Sequence, residues 1–263
     1  MSKINRKLVI EIGINHLGEE KYLLKNVQEI IKLKIQYVTI QILDDKFYKK
    51  RNNKNYLIDS KKIIKNLNIL RENKVKIGFA VVNENFSKYV ENYSPDFFKV
   101  LSWSANNIKL LEFLSGYNKP VYISLGTLNK SSINILYKKI SNKFRKFNKF
   151  KFIHTQLNYK ESDLNLNFIN YLMKNTNIPI CYGHHAKNSL LPIYLALALK
   201  VDKIFIYVKL SHRYLHPDED HALYFSELPL LMKNLEQCEI FLGSIKKTGT
   251  SNQIAKIAKK RKL

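Results

Sequence analysis

The sequence predicts an α/β fold, a TIM (β/α)8 barrel in a single domain, and three observations carry that expectation. Short runs rich in Ile, Val, Phe and Tyr alternate with amphipathic stretches along the whole chain, and the count comes to eight of each. Nearly every strand-like run is unbroken rather than alternating, as in parallel strands covered on both faces. The length of 263 residues, with 45% hydrophobic residues, matches one such barrel with one large core. An open, doubly wound sheet is the competing arrangement.

Taken in order, the strand candidates are LVIEIGI (8–14), YVTIQIL (37–43), KIGFAVV (76–82), FFKVLS (97–102), PVYISLG (120–126), FKFIHTQ (150–156), PICYGHH (179–185) and KIFIYVKL (203–210). Most of them are rich in β-branched or aromatic residues. Between them, apolar residues recur at spacings of three and four, which predicts helices such as Tyr22–Leu33, Lys61–Leu70, Ile108–Leu114, Ile133–Ile140, Leu166–Met173, Leu190–Leu199 and Leu228–Leu242. The barrel is expected over residues 1–243, with a basic C-terminal tail over 244–263.

Composition narrows the function classes. No apolar stretch approaches the ~18 residues of a membrane span, and MSKINRKLVIEIG enters the first strand without a cleavage site, which predicts a cytoplasmic protein. Cys181 and Cys238 have neither disulfide nor metal-ligand spacing and read as reduced core residues. The net charge of +24 would suit a polyanion. However, the lysines are spread along the chain among abundant Asn and Ile, so the charge reads as compositional drift on solvated helix faces. Nucleic acid is therefore not the expected partner.

Barrel enzymes place their chemistry at the C-terminal ends of the strands. Polar residues gather there: Glu11, Asn15 and His16; Gln41; Lys99 and Ser102; Ser124; His154 and Gln156; His184 and His185; Lys209. His212, His216 and His221 follow the last strand in a loop with Asp218, Glu219 and Asp220. Imidazoles and carboxylates so placed are material for a metal or acid/base site.

At these residues the chain resembles the sialic acid synthase (N-acetylneuraminate synthase) family, whose members condense phosphoenolpyruvate with an N-acetylated hexosamine. EIGINHLG (11–18), KVLSWSANN (99–107), KPVYISLG (119–126), SDLNLNFI (162–169), YGHHA (182–186) and DEDHA (218–222) match its motifs in order. The resemblance implies an acidic role for Glu11 at the reacting sugar and a sugar contact for Gln41. It assigns Lys99, Ser102 and Ser124 to the phosphate or carboxylate of phosphoenolpyruvate, Tyr159 and Asp220 to the sugar, and His185 to a divalent metal, manganese or magnesium. A cationic and hydroxyl-rich site suits an anionic enol phosphate, and a metal would polarise the aldehyde for attack.

Several family positions have changed. The strand-two lysine is Thr39, the second metal histidine falls at Lys209 or next to it at Val208, the preceding acid is Tyr207, and the acid of the strand-four motif is Ser104. Thr155, Gln156 and Leu157 replace a polar pattern facing phosphate, and Gly183 and His184 stand before the metal histidine. Lys209 could supply the missing metal's charge or form a Schiff base; alternatively His184 or His212 could rebuild a metal site. The tail IAKIAKKRKL resembles the segment that leads, in the family, into an antifreeze-like domain given by the partner subunit, and the expectation is a barrel domain alone with this tail as a truncated linker.

Two expectations result. One is a sugar-acid synthase acting on phosphoenolpyruvate, or a related carboxylated substrate, and an amino-sugar aldehyde in surface-polysaccharide biosynthesis. The other is a catalytically degenerate barrel that binds a sugar or regulates a full-length paralogue, with a homodimer or paralogue as partner.

Overall fold

The computed structural model describes residues 3–43, 56–87, 93–144, 147–157, 160–187, 189–211, 215–244 and 259–260. Eight parallel strands run in order: β1 (Leu8–Gly13), β2 (Tyr37–Ile42), β3 (Lys76–Val81), β4 (Phe97–Val100), β5 (Val121–Ser124), β6 (Phe150–His154), β7 (Ile180–Gly183) and β8 (Ile204–Lys209). Each pairs with the next, and β8 returns to β1 in the register Leu8↔Ile204 to Glu11↔Tyr207, which closes the barrel. The open-sheet alternative is thereby set aside.

Around the barrel lie α1 (Lys3–Lys7), α2 (Glu20–Lys32), α3 (Ser60–Glu72), α4 (Ile108–Ser115), α5 (Lys130–Lys143), α6 (Asn167–Asn175), α7 (Leu191–Ala198) and α8 (Leu228–Leu242). Three of them, α3, α4 and α5, start on short polar caps. Asp59 accepts from Lys61 N at 2.9 Å, Asn107 from Leu110 N at 3.1 Å, and Asn129 from Ser132 N at 2.9 Å. Such caps satisfy first-turn donors that have no partner within the helix.

The unbroken apolar runs conceal a two-residue alternation. Leu8, Ile10 and Ile12 pack outward into the core shared with the helices, whereas Val9 joins Phe97, Tyr122, Ile153, Cys181 and Phe205 inside the barrel. Gly78 makes room for this inner layer, since a Cβ there would meet the Phe97 ring at 2.2 Å. The next inward position on each strand, two residues on, changes character: Val9 gives way to Glu11, Phe97 to Lys99, Tyr122 to Ser124, Ile153 to Thr155 and Phe205 to Tyr207. An apolar plug thus supports a polar floor at the C-terminal end.

Every strand stops one or two residues before the end of its apolar run, and β4, β5, β6 and β7 stop two residues before it. β4 ends at Val100, and Ser102 opens a 3-10 turn, Ser102–Ser104. β6 ends at His154, and β7 ends at Gly183, so His184 and His185 lie beyond the strand. After β8, the two-residue strand β9 (Leu223–Tyr224) pairs back onto Val208 and Lys209, anchoring the acidic loop at both ends. Among the described residues no helix is long and apolar enough to cross a membrane. Cys181 is buried inside the barrel and Cys238 lies on α8, both free. Of the expected tail, only Ser244 and residues 259–260 are described.

Candidate active site

A cavity of about 340 Å³ opens at the C-terminal ends of the strands, lined by Gln41, Lys99, Ser102, Trp103, Ser124, Thr155, Leu157, His185, Tyr207, Asp218 and His221, among others. Its floor is a buried ion pair. Lys99 Nζ lies 2.5 Å from Glu11 Oε2, and both side chains are almost fully enclosed. Thr39 Oγ1 donates to the same carboxylate oxygen at 3.1 Å, so the residue in the family's strand-two lysine position now holds Glu11. Lys99 also sits 5.2 Å from the centroid of the Tyr207 ring. The phenol of Tyr207 receives a 3.5 Å contact from Gln41 Nε2.

Above the floor, the His185 and His221 rings stack at 4.1 Å and 15°, and both meet the Tyr207 ring edge-on. Burial keeps both imidazoles neutral: it holds His185 well below the ordinary range, helped by His221 and Lys99, and His221 down to about 3. Burial also pushes the Asp218 carboxyl up to about 7, with Glu11 adding to the rise. Asp218 Oδ2 is buried without a hydrogen-bond partner, while Oδ1 lies 4.0 Å from His221 Nε2. Gly13, at φ +56°, permits this approach, since a Cβ would meet Tyr207 at 2.7 Å and Asp218 Oδ2 at 2.9 Å. Asn15 ties the loop down by donating to Val208 O at 2.8 Å and accepting from Asp218 N at 3.3 Å.

Five residues expected at the mouth lie elsewhere. Lys209 lines a neighbouring cleft of about 320 Å³ with His184, Glu219, Asp220 and Tyr224, and its ammonium is taken by Glu219 Oε1 at 2.5 Å and Glu219 O at 2.9 Å. The physical reason is its place as the last residue of β8, where β9 brings the acidic loop alongside. Asp220 borders the same cleft, largely exposed, and pairs with Lys187 at 2.7 Å. His154 and Gln156 line another cavity, of about 510 Å³, where His154 Nε2 contacts Leu164 O at 2.9 Å. Tyr159 and His212 lie outside the described residues.

The sequence profile of the NeuB family matches residues 23–247. The chain belongs to the NeuB family. Among solved structures it is similar to an N-acetylneuraminic acid (sialic acid) synthetase of Leptospira borgpetersenii in complex with citrate, with TM-score 0.85 and 21% identity over 97% of this chain and 91% of that one. It is also similar to a spore coat polysaccharide biosynthesis protein of Bacillus subtilis, with TM-score 0.76 and 19% identity over 95% and 76%. A third neighbour is the DAHP synthase of Thermotoga maritima, with TM-score 0.74 and 16% identity over 90% and 70%. At these identities the likeness is one of fold. No curated protein matches the chain by sequence.

For a NeuB-family barrel, a divalent metal beside His185 is the natural question, and the donors described here do not fit one. Ring-nitrogen lone pairs lie in the ring plane, so the near-parallel rings of His185 and His221 cannot both aim at one ion. Among the described residues no group of three His, Cys, Asp or Glu side chains is arranged as a metal site.

Sequence reasoning assigned no role in the mouth to Thr155 or Tyr207, and named Asp218 and His221 only within the loop that could build a metal or acid/base site. Thr155 replaces a family polar position, yet it lines the mouth and its buried hydroxyl has no hydrogen-bond partner. Inward parity on β6 and β8 would have found Thr155 and Tyr207. Asp218 and His221 were visible only as members of an acidic, histidine-bearing loop.

Proposed function

We propose that this NeuB-family barrel serves carbohydrate biosynthesis by holding a small carboxylated phosphate of the phosphoenolpyruvate type against an amino-sugar aldehyde in the mouth. The observation that supports it most is the Lys99 ammonium in one cavity with the hydroxyls of Ser102, Ser124 and Thr155. A cation ringed by hydroxyl donors suits an anion with several acceptor oxygens. In the reaction, the enol carbon attacks the aldehyde carbon to form the C–C bond, and water added at the neighbouring carbon expels inorganic phosphate.

The chain's own residues take definite parts. Glu11 holds Lys99 in place, and an anionic ligand must compete with it for the ammonium. Asp218, poised near neutrality, can hold or release a proton at an oxygen in the cavity. Tyr207 and the two neutral imidazoles supply polar, uncharged walls. The paired lysine and the absent strand-two lysine weaken phosphate capture, each charge-assisted contact being worth about 1.5–3 kcal/mol.

A second reading, a degenerate barrel that binds a sugar or regulates a paralogue, draws support from the stacked His185–His221 pair and the closed Lys209–Glu219 pair. Phosphate release from phosphoenolpyruvate with a panel of N-acetylated sugars separates the two, comparing wild type with Thr39→Lys, which puts a second ammonium beside the Glu11–Lys99 pair. The expected result is slow wild-type turnover that the variant accelerates. Phosphate release in neither protein would leave the degenerate reading standing.

A further inference from the structure

Trp103 is the chain's single tryptophan, and it stands 64% exposed at the rim of the mouth. Solitary exposed hydrophobes on a surface need no explanation. This one has company, because Leu157, 37% exposed, lines the same cavity together with Leu101. The mouth therefore has an apolar wall beside its polar one.

The turn that presents the indole is fixed from several directions. Ser102 Oγ accepts from Gly126 N at 3.2 Å, Thr127 Oγ1 donates to Ser102 O at 2.6 Å, and Ser104 Oγ donates to Val82 O at 2.6 Å. A Cβ on Gly126 would come within 2.9 Å of Leu157 Cγ and 3.0 Å of Ser102 Oγ, so leucine and turn close over the end of β5 only because glycine is there. The backbone under Trp103 is set before any ligand arrives, which lowers the ordering cost of binding.

We propose that Trp103 and Leu157 form a recognition shelf for the carbon face of the sugar, so that an N-acyl methyl or a row of C–H bonds lies against the indole. The inference rests on the reading that the mouth takes a carboxylated phosphate and an amino-sugar aldehyde, and it adds the residues that choose the sugar. The electron-rich face of an indole attracts polarised C–H groups and offers little to hydroxyls. Lys99 and the hydroxyls serve the anionic ligand, so the two recognitions are separable.

Trp103 emission and calorimetry on the whole chain test this, with N-acetylmannosamine, mannose and phosphoenolpyruvate as probes. N-acetylmannosamine is expected to shift the emission to the blue, saturating at the concentration at which its heat saturates, and to bind more tightly than mannose. Trp103→Ala should weaken N-acetylmannosamine by about five- to tenfold, the range of one aromatic contact, while phosphoenolpyruvate changes less than about twofold. Trp103→Phe should restore most of the loss, and Leu157→Asn should weaken the sugar in the same direction. Sugar heat without any change in emission, or Trp103→Ala equal to wild type, would overturn the shelf and leave the mouth reading intact. Binding of phosphoenolpyruvate with neither sugar would overturn the shelf and leave only the anion half of the mouth reading standing. No heat from any of the three probes would overturn both.

Discussion

Lys99 on β4 and Lys209 on β8 both end in ion pairs of 2.5 Å, yet their surroundings differ. Lys99 lies within its strand, over an apolar plug, with a partner as buried as itself. Lys209 is the last residue of its strand, and its partner Glu219 sits on a loop with its side chain 37% exposed. Strand interior fixes a side chain by register, whereas a strand's last residue goes where the next loop takes it. The mouth around Lys99 is consequently a prebuilt site, and the cleft around Lys209 is a charged brace between β8 and its loop.

The largest expected effect follows from burial. Lys99→Met strands the Glu11 carboxylate without its cation and should cost about 3–5 kcal/mol of stability, read as a lower urea midpoint. Lys209→Met leaves Glu219 able to turn to water and should cost only about 1 kcal/mol. Equal losses would erase the distinction between the two regions.

His221 borders both regions, and acid offers a second way to sharpen the contrast. Burial lowers His221 to about 3 and both His16 and His184 to about 4, below the ordinary histidine value. The unfolded chain therefore binds more protons than the folded one across this range, and stability falls as pH drops from about 6.5 towards 4. Asp218, raised to about 7, acts with the opposite sign over much of the same window, binding its proton more tightly in the folded state. Three histidines outweigh one carboxyl, so the net slope should remain positive. Urea midpoints from pH 4 to 8 should rise with pH, and His184→Gln should flatten the slope; a midpoint that falls with pH would contradict the assignment.

A smaller effect is expected from metal. Manganese should bind weakly by calorimetry, because one imidazole and water offer little chelation. Tight binding that survives His185→Ala would show that the ligands lie elsewhere.

The sequence carried the barrel well because each apolar run is a local signal, and all seven named helices lie within a few residues of their expected bounds. Glu11, Gln41, Lys99, Ser102, Ser124 and His185 reached the mouth region because motif and strand position agree there. Lys209 and Asp220 did not, since their placement depends on how the loop after β8 folds back through β9. Asp218 and His221 enter the mouth by the same return, a tertiary event that no spacing in the sequence encodes. Thr155 was masked by its difference from the family pattern, though its parity with Ile153 on β6 points inward.

The most direct measurement is a crystal structure of the whole chain soaked with phosphoenolpyruvate and manganese. The ligand is expected in the mouth, its anionic oxygens within hydrogen-bond distance of Lys99 Nζ and the hydroxyls of Ser102 and Ser124, with Glu11 drawn away from the ammonium. Phosphoenolpyruvate seated instead in the neighbouring cleft, against Lys209 and away from Lys99, would contradict it.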